Sequence, residues 1–188
     1  MNEDKMNLIL SAQNGNKEAL DKLVKNEQAN IYTMLFYLKK DSSDIQDIMQ
    51  DVLFKLAKKI KQLKNPSYFK TWLNQIILNS YYDYLRRKKN KQKEYYLDDK
   101  TQEKINKIVD YSTNPSDSIL NNELDVIIKT SIKNLPIRYK IPITLREIQG
   151  LSYNEISNIT KTSLGTVKSR IARARAIIKE DVTKYIGE

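Results

Sequence analysis

The stretch SYNEISNITKTSLGTVKSRIARARAII, residues 152–178, reads as two short helices joined by a tight turn, and the rest of the chain is organised around it. Ser152 followed by Glu155 is an S-x-x-E capping box, in which a hydroxyl and a carboxylate each satisfy an orphan backbone N–H at a helix start. Ile156 and Ile159 give that helix one apolar face. Lys161-Thr162-Ser163 supplies turn chemistry, with Ser163 the expected N-cap of the second helix. In that helix Leu164, Val167, Ile171, Ala174 and Ile178 recur at helical spacing and are expected to face inward together. Lys168, Ser169, Ala172, Arg173 and Arg175 are left outside.

Such a helix suits DNA because the major groove admits an α-helix and side chains near its N-terminus reach base edges. Arg and Lys donate to guanine acceptors, Ser pairs with either kind of base, and the Ala172 methyl can lie against a thymine methyl. The plainer reading is a solvated basic face on an ordinary amphipathic helix. No acidic residue interrupts Lys161 to Lys179, whereas solvated faces usually mix signs, and this favours DNA.

Composition points the same way. The formal net charge of +10 and pI near 9.5 call for a polyanionic partner, with an acidic membrane surface as the competing reading. Cys and His are both absent, which removes disulfides, thiolate metal sites and the commonest metal ligand and general base. No apolar run is long enough to span a bilayer or to form a signal-peptide core. A cytoplasmic chain without metal, cofactor or membrane insertion is expected. At 188 residues it can hold one ordinary domain or two small ones.

From the start, Leu20, Leu23, Val24, Ile31, Leu35 and Leu38 keep helical periodicity, broken once at Gly15. Ser43 with Gln46 suggests a second capping box, and Ile45, Ile48, Met49, Val52, Leu56, Ile60 and Leu63 trace one stripe of a helix from about Asp44 to Gln62. Opposite that stripe lie Asp44, Asp47 and Asp51 with Gln50 beside them. They either answer the positive end of the helix dipole or form a docking face for a basic partner. Asn65-Pro66-Ser67 marks a turn, after which Phe69, Trp72, Leu73, Ile76, Ile77 and Tyr84 form the next stripe. Trp72 reads as a packing anchor. Tyr81 and Tyr82 are open to two readings, core or stacking platform, because Arg86-Arg87-Lys88-Lys89 follows and single-stranded nucleic acid needs aromatics beside cations.

Lys88 to Asn114 is too polar for a packed domain and reads as a linker. Ser116 or Asp117 can cap a helix to about Asn134, with Leu120, Leu124, Ile127, Ile128 and Ile132 inward, stopped by Leu135-Pro136. A further helix carries Ile141, Leu145 and Ile148 and ends at Gly150, a natural left-handed C′ residue. Pro142 is expected in the first turn of that helix, where a missing N–H costs little.

These residues also carry a family resemblance. Gly165-Thr166-Val167-Lys168-Ser169-Arg170 with Ala172-Arg173-Ala174-Arg175, preceded by Leu135-Pro136, Arg138 and Gly150-Leu151-Ser152-Tyr153-Asn154-Glu155-Ile156, resembles region 4 of sigma-70 family factors, most closely the extracytoplasmic-function (ECF) group. Asp47-Ile48-Met49-Gln50-Asp51-Val52 resembles the part of region 2 that binds the clamp helices of the polymerase β′ subunit. Trp72-Leu73, Ile76, Asn79, Asp83 and Leu85-Arg86-Arg87 resemble the part that recognises and melts the minus-ten element.

The resemblance implies an all-α chain of two small helical domains on a flexible tether: region 2 over 1–90, a linker over 91–116 and region 4 over 117–188. It implies minus-thirty-five base contacts by Lys168, Ser169, Ala172 and Arg173, with Arg138, Tyr153, Thr166, Arg170 and Arg175 on phosphates. Minus-ten contacts fall to Ser67, Tyr68, Phe69, Lys70, Asn79, Tyr82, Asp83, Arg86 and Arg87, the loop before the helix capturing a flipped base. Polymerase contacts fall to Asp47, Gln50 and Asp51. The implied partners are core RNA polymerase (β′ clamp helices and β flap), promoter DNA and an anti-sigma factor, which in this family is often membrane-anchored. Two rivals stand beside this reading. A stand-alone helix-turn-helix regulator leaves the Asp47–Asp51 and Trp72–Arg87 patterns without a role, and a nucleic-acid enzyme lacks an evident general base.

Overall fold

The computed structural model describes residues 3–39, 44–98 and 119–187, which form eight α-helices and, among the described residues, no strand. Helix α1 (Glu3–Gln13) and helix α2 (Lys17–Leu38) are separated by Gly15, whose φ of +92° is the left-handed turn glycine permits. Asn16 caps α2 by accepting from the Ala19 N–H. Helix α3 (Ile45–Lys59) tightens into a 3-10 turn over Ile60–Gln62, so the expected helix to Gln62 is present with its last turn overwound. The Ser43 box lies outside the described residues; Asp44 is the N-cap and makes no side-chain cap bond. A 3-10 turn at Pro66–Tyr68 leads into helix α4 (Phe69–Asp98), which runs past residue 90.

The apolar stripes read from the sequence meet in one core. Ile9, Leu23, Ile31, Met34, Leu35 and Leu38 pack against Ile48, Val52, Leu56, Phe69, Leu73 and Ile77, all nearly inaccessible. Burying side chains of this size is worth about 1.5–3 kcal/mol each against leaving them in water. Polar bonds then set the loop geometry. Gln13 Nε2 donates to the Leu63 carbonyl at 2.6 Å, tying α1 to the end of α3, and the Lys5 ammonium pairs with buried Glu27 at 2.5 Å while lying over the Phe69 ring.

The second module begins with helix α5 (Ile119–Asn134); the proposed caps Ser116 and Asp117 fall outside the described residues. Ile132 is buried, whereas Leu124 is exposed. Helix α6 (Ile137–Ile143) is stopped from merging with α5 by Pro136 and continues as one π turn over Thr144–Ile148. Pro142 corrects the expectation: it is the sixth residue of α6, not in the first turn. Having no N–H, it cannot donate to the Arg138 carbonyl, and the helix widens immediately after it, with Gln149 N donating to Thr144 O at 3.1 Å. Gly150, at φ +61°, ends this segment in the left-handed conformation as expected.

Helix α7 (Tyr153–Thr160) and helix α8 (Leu164–Ile186) are the helix-turn-helix. The Ser152–Glu155 capping box is complete, and Ser163 caps α8 by accepting from the Thr166 N–H. Lys161 takes φ +52° in the turn between them. Val167, Ile171 and Ala174 are buried against α5, α6 and α7. Ile178 is half-buried. Leu164 departs from the inward stripe and is 38% exposed, because at the first position of the helix it lies beyond the edge of the core.

Candidate nucleic-acid interface

Burial of Val167, Ile171 and Ala174 fixes the roll of α8 about its axis, and that roll places Lys168, Ser169, Ala172 and Arg173 on open surface. Ser169 Oγ donates to the Thr166 carbonyl at 3.0 Å, and Thr166 Oγ1 meets Ser163 Oγ at 2.8 Å, so the short polar side chains at the helix start are held close to the backbone. The N-terminal amides and the dipole add partial positive charge there, where a phosphate is favoured. Arg173 makes no side-chain hydrogen bond or ion pair among those described, whereas Arg175 is held by Glu147 through Nε at 3.2 Å and Nη2 at 2.6 Å. Arg138 lies exposed over the Tyr139 ring, and half-buried Tyr153 carries the Arg146 guanidinium over its own ring at 4.8 Å.

In the first module, Asn65 accepts from the Ser67 N–H at 2.9 Å and shapes the loop that displays Ser67, Tyr68 and Lys70 on the surface. Phe69 does not belong to that display. At 1% exposure it is a core residue, packed near Trp72 with ring centroids 6.0 Å apart, and its part is to anchor the loop. The two tyrosines left open by the sequence separate cleanly. Tyr81 is buried and its hydroxyl donates to the Leu38 carbonyl at 2.8 Å; Tyr82 is 43% exposed.

Asn79, Tyr82, Asp83 and Arg86 come together with Lys55 and Lys59 in an open cleft of about 720 Å³ between α3 and α4. The Ser67–Lys70 loop does not line this cleft: Phe69 and Asn79 are ten helical residues apart, about 15 Å along the axis. Lys55 and Lys59 are additions that the sequence reading did not single out, and Lys89, from the basic run that follows Tyr84, lines the cleft further along. The signal was available, since Lys55 and Lys59 stand one turn apart at the basic end of α3.

The acidic face of α3 divides as well. Asp47 and Gln50 are open to solvent, but Asp51 accepts from Lys55 Nζ at 2.7 Å, and the same ammonium reaches Ser80 Oγ at 2.9 Å and Asp83 at 3.4 Å. Burial pushes the Asp51 pKa up, yet the hydrogen bonds from Lys55 and Ser80 outweigh it and leave it below the usual carboxylate range. Asp51 therefore straps α3 to α4. On the open side, one turn beyond Gln50, Phe54 is 64% exposed, a large aromatic surface that the sequence reading passed over.

The arrangement defines a two-module helical DNA-binding protein, one module a helix-turn-helix and the other a bundle with a basic, aromatic cleft beside an acidic and aromatic face. Sequence comparison narrows this. The family description "Sigma-70 region 2" matches residues 23–91 and "Sigma-70, region 4" matches residues 125–178. The ECF RNA polymerase sigma-E factor of Haemophilus influenzae is 33% identical over 180 residues, 93% of each chain. That of Escherichia coli K12 is 31% identical over 182 residues, 95% of this chain and 94% of its own. The chain belongs to the sigma-70 family of RNA polymerase sigma factors, in its ECF group. The fold is shared with the sigma factor RpoE of Bartonella quintana, solved in complex with the anti-sigma factor NepR, at a TM-score of 0.70 and 21% identity over 87% of this chain and 96% of that one.

Proposed function

We propose that the chain directs promoter-specific initiation by core RNA polymerase through three surfaces. Lys168, Ser169, Ala172 and Arg173 of α8 read base edges of an upstream element, with Arg138, Tyr153, Thr166, Arg170 and Arg175 on phosphates, where contacts position without specifying sequence. The exposed loop residues Ser67, Tyr68 and Lys70, the cleft of Asn79, Tyr82, Asp83 and Arg86, and exposed Arg87 outside that cleft take the melted downstream strand; Tyr82 offers a ring for stacking and the cations follow the phosphates. Asp47 and Gln50, with Phe54 as the apolar centre, dock on the polymerase. An aromatic anchor ringed by polar groups is the usual composition of an interface hot spot.

The chain itself is read as non-catalytic, the polymerase supplying the chemistry; the absence of His and Cys accords with that. It is read as cytoplasmic, in accord with the lack, among the described residues, of a helix long and apolar enough to cross a membrane. An anti-sigma factor is the expected inhibitor, and the domain division at 1–90, 91–116 and 117–188 is retained as the working one. The observation that carries the reading is the exposed face of α8 from Leu164 to Lys179, which no acidic residue interrupts and whose direction is set by burial of Val167, Ile171 and Ala174. Footprinting on a cognate promoter tests it. With core polymerase present, two protected blocks at constant spacing are expected. One block, formed equally well without polymerase, would instead establish a stand-alone regulator.

A further inference from the structure

Glu147 and Arg175 stand 28 residues apart and meet in a geometry that leaves the guanidinium only half used. A single carboxylate oxygen, Oε1, accepts from Nε at 3.2 Å and from Nη2 at 2.6 Å. Those donors lie along one edge of the planar fork, so the Nη1 edge is turned away from Glu147. Arg175 is 54% exposed, and a further acceptor can approach that edge from solvent. A phosphate accepts from two such N–H groups at once.

The brace comes from the π turn over Thr144–Ile148 that follows Pro142. A π turn holds more residues than the 3.6 of an α turn, and one added residue is about 100° of rotation about the axis, so the turn re-aims the side chains it carries. Its two charged residues each hold one of the proposed phosphate contacts. Arg146 donates from Nη1 to the Leu151 carbonyl at 2.9 Å and lies over the Tyr153 ring at 4.8 Å, while Glu147 holds Arg175. The two held groups are neighbours: Glu147 raises the pKa of Arg175 by stabilising its charge, and Tyr153 adds a smaller effect in the same direction.

We infer that Glu147 is a positioning residue that fixes the Arg175 guanidinium with its free edge toward the DNA backbone, so that the helix-turn-helix meets a phosphate with the fork already in place. This rests on the phosphate role given to Arg175 above. A long side chain loses rotamer freedom when it grips a ligand, and one fixed beforehand loses less. The carboxylate also repels a nearby phosphate, but at 44% exposure solvent and salt screen that repulsion, and positioning outweighs it. Since phosphates carry no sequence, the gain applies to every duplex alike.

A double-mutant cycle on the full chain tests this, with Glu147→Ala, Arg175→Ala, their combination and, separately, Glu147→Gln. Each is titrated at several salt concentrations against a labelled duplex that the chain has selected from a random pool, and against the unselected pool. Circular dichroism melts establish that the variants fold, and Glu147→Gln carries the same cycle if Glu147→Ala does not. Glu147→Ala should weaken both duplexes by one common factor of about threefold, the scale of an exposed ion pair. Glu147→Gln keeps an acceptor for the same N–H groups and should weaken them less. Neither change should matter once Arg175 is replaced by alanine. Tighter binding by both Glu147 variants would make the carboxylate a competitor of phosphate and overturn the proposal. So would a loss that persists in the Arg175→Ala background, or wild-type affinity for both Glu147 variants while Arg175→Ala weakens binding. If Arg175→Ala itself leaves affinity and salt slope unchanged, the phosphate reading of Arg175 fails and the positioning role falls with it. No polymerase is present, so the outcome is independent of the promoter-initiation reading.

Discussion

Removing one oxygen atom from Tyr81 should destabilise the first module, while the same change at its neighbour Tyr82 should not. The Tyr81 ring packs in the core at 4% exposure, and Tyr81→Phe leaves that packing intact. What is lost is the 2.8 Å bond to the Leu38 carbonyl, at the buried end of α2. A net hydrogen bond contributes about 1 kcal/mol, and an orphaned buried acceptor raises the cost toward about 2 kcal/mol. For a module of this size each kcal/mol is worth about 4–8 °C in Tm, so a fall of roughly 10 °C is expected. Trp72, the chain's single tryptophan, lies in this module and reports its unfolding by fluorescence.

A second signature belongs to the same group. Burial, with a smaller effect of Tyr82, pushes the Tyr81 pKa up from 10.0 to about 12. A phenol whose folded pKa is raised contributes stability below the unfolded value, and that contribution is lost as pH rises from 10.0 toward about 12. Tyr81→Phe should lack this alkaline decline. Equal melting temperatures for wild type and Tyr81→Phe, or an equal fall for Tyr82→Phe, would refute the division of labour between the two residues.

Arg173→Ala should cost about 1–3 kcal/mol on the cognate promoter and relax one base position, whereas Arg175→Ala should weaken all duplexes alike and lower the salt slope by about 1, both read by titration at several salt concentrations. Asp47→Arg and Phe54→Ala should each weaken binding to core polymerase at least tenfold in an equilibrium assay, with circular dichroism melts unchanged; wild-type affinity in both would leave this face without a partner. Asp44 accepts from the Tyr84 hydroxyl at 2.5 Å and pairs with the Lys39 ammonium at 3.0 Å, and these partners, Tyr84 foremost, hold its pKa below the usual 3.8. Stability from that depression is present above pH 3.8 and disappears as pH falls through the folded value, so Asp44→Asn should lose less stability than wild type in acid melts over that range.

The sequence made the helix-turn-helix readable because its signals are local. A capping box at Ser152–Glu155, an N-cap at Ser163 and a left-handed glycine at 150 each act within one turn of backbone, and all three occur where expected. Signals that depend on partners far along the chain were hidden. The role of Asp51 turns on Lys55 and on Ser80 and Asp83 of another helix, and Phe69 is buried by α1, whose Lys5 covers its ring. Pro142 was misplaced because position rules for proline assume an unbroken α-helix, and here a π turn follows it. The Thr71–Glu155 bond joins residues 84 apart, and no local pattern foretells it.

Run-off transcription tests the central claim most directly: purified chain and bacterial core polymerase are mixed with fragmented genomic DNA from the source organism, and the transcript starts are sequenced. The account predicts starts sharing two upstream elements at constant spacing, lost with Arg173→Ala and with Asp47→Arg. Sequence-specific binding by the chain alone, with no starts above the core polymerase background, would contradict it.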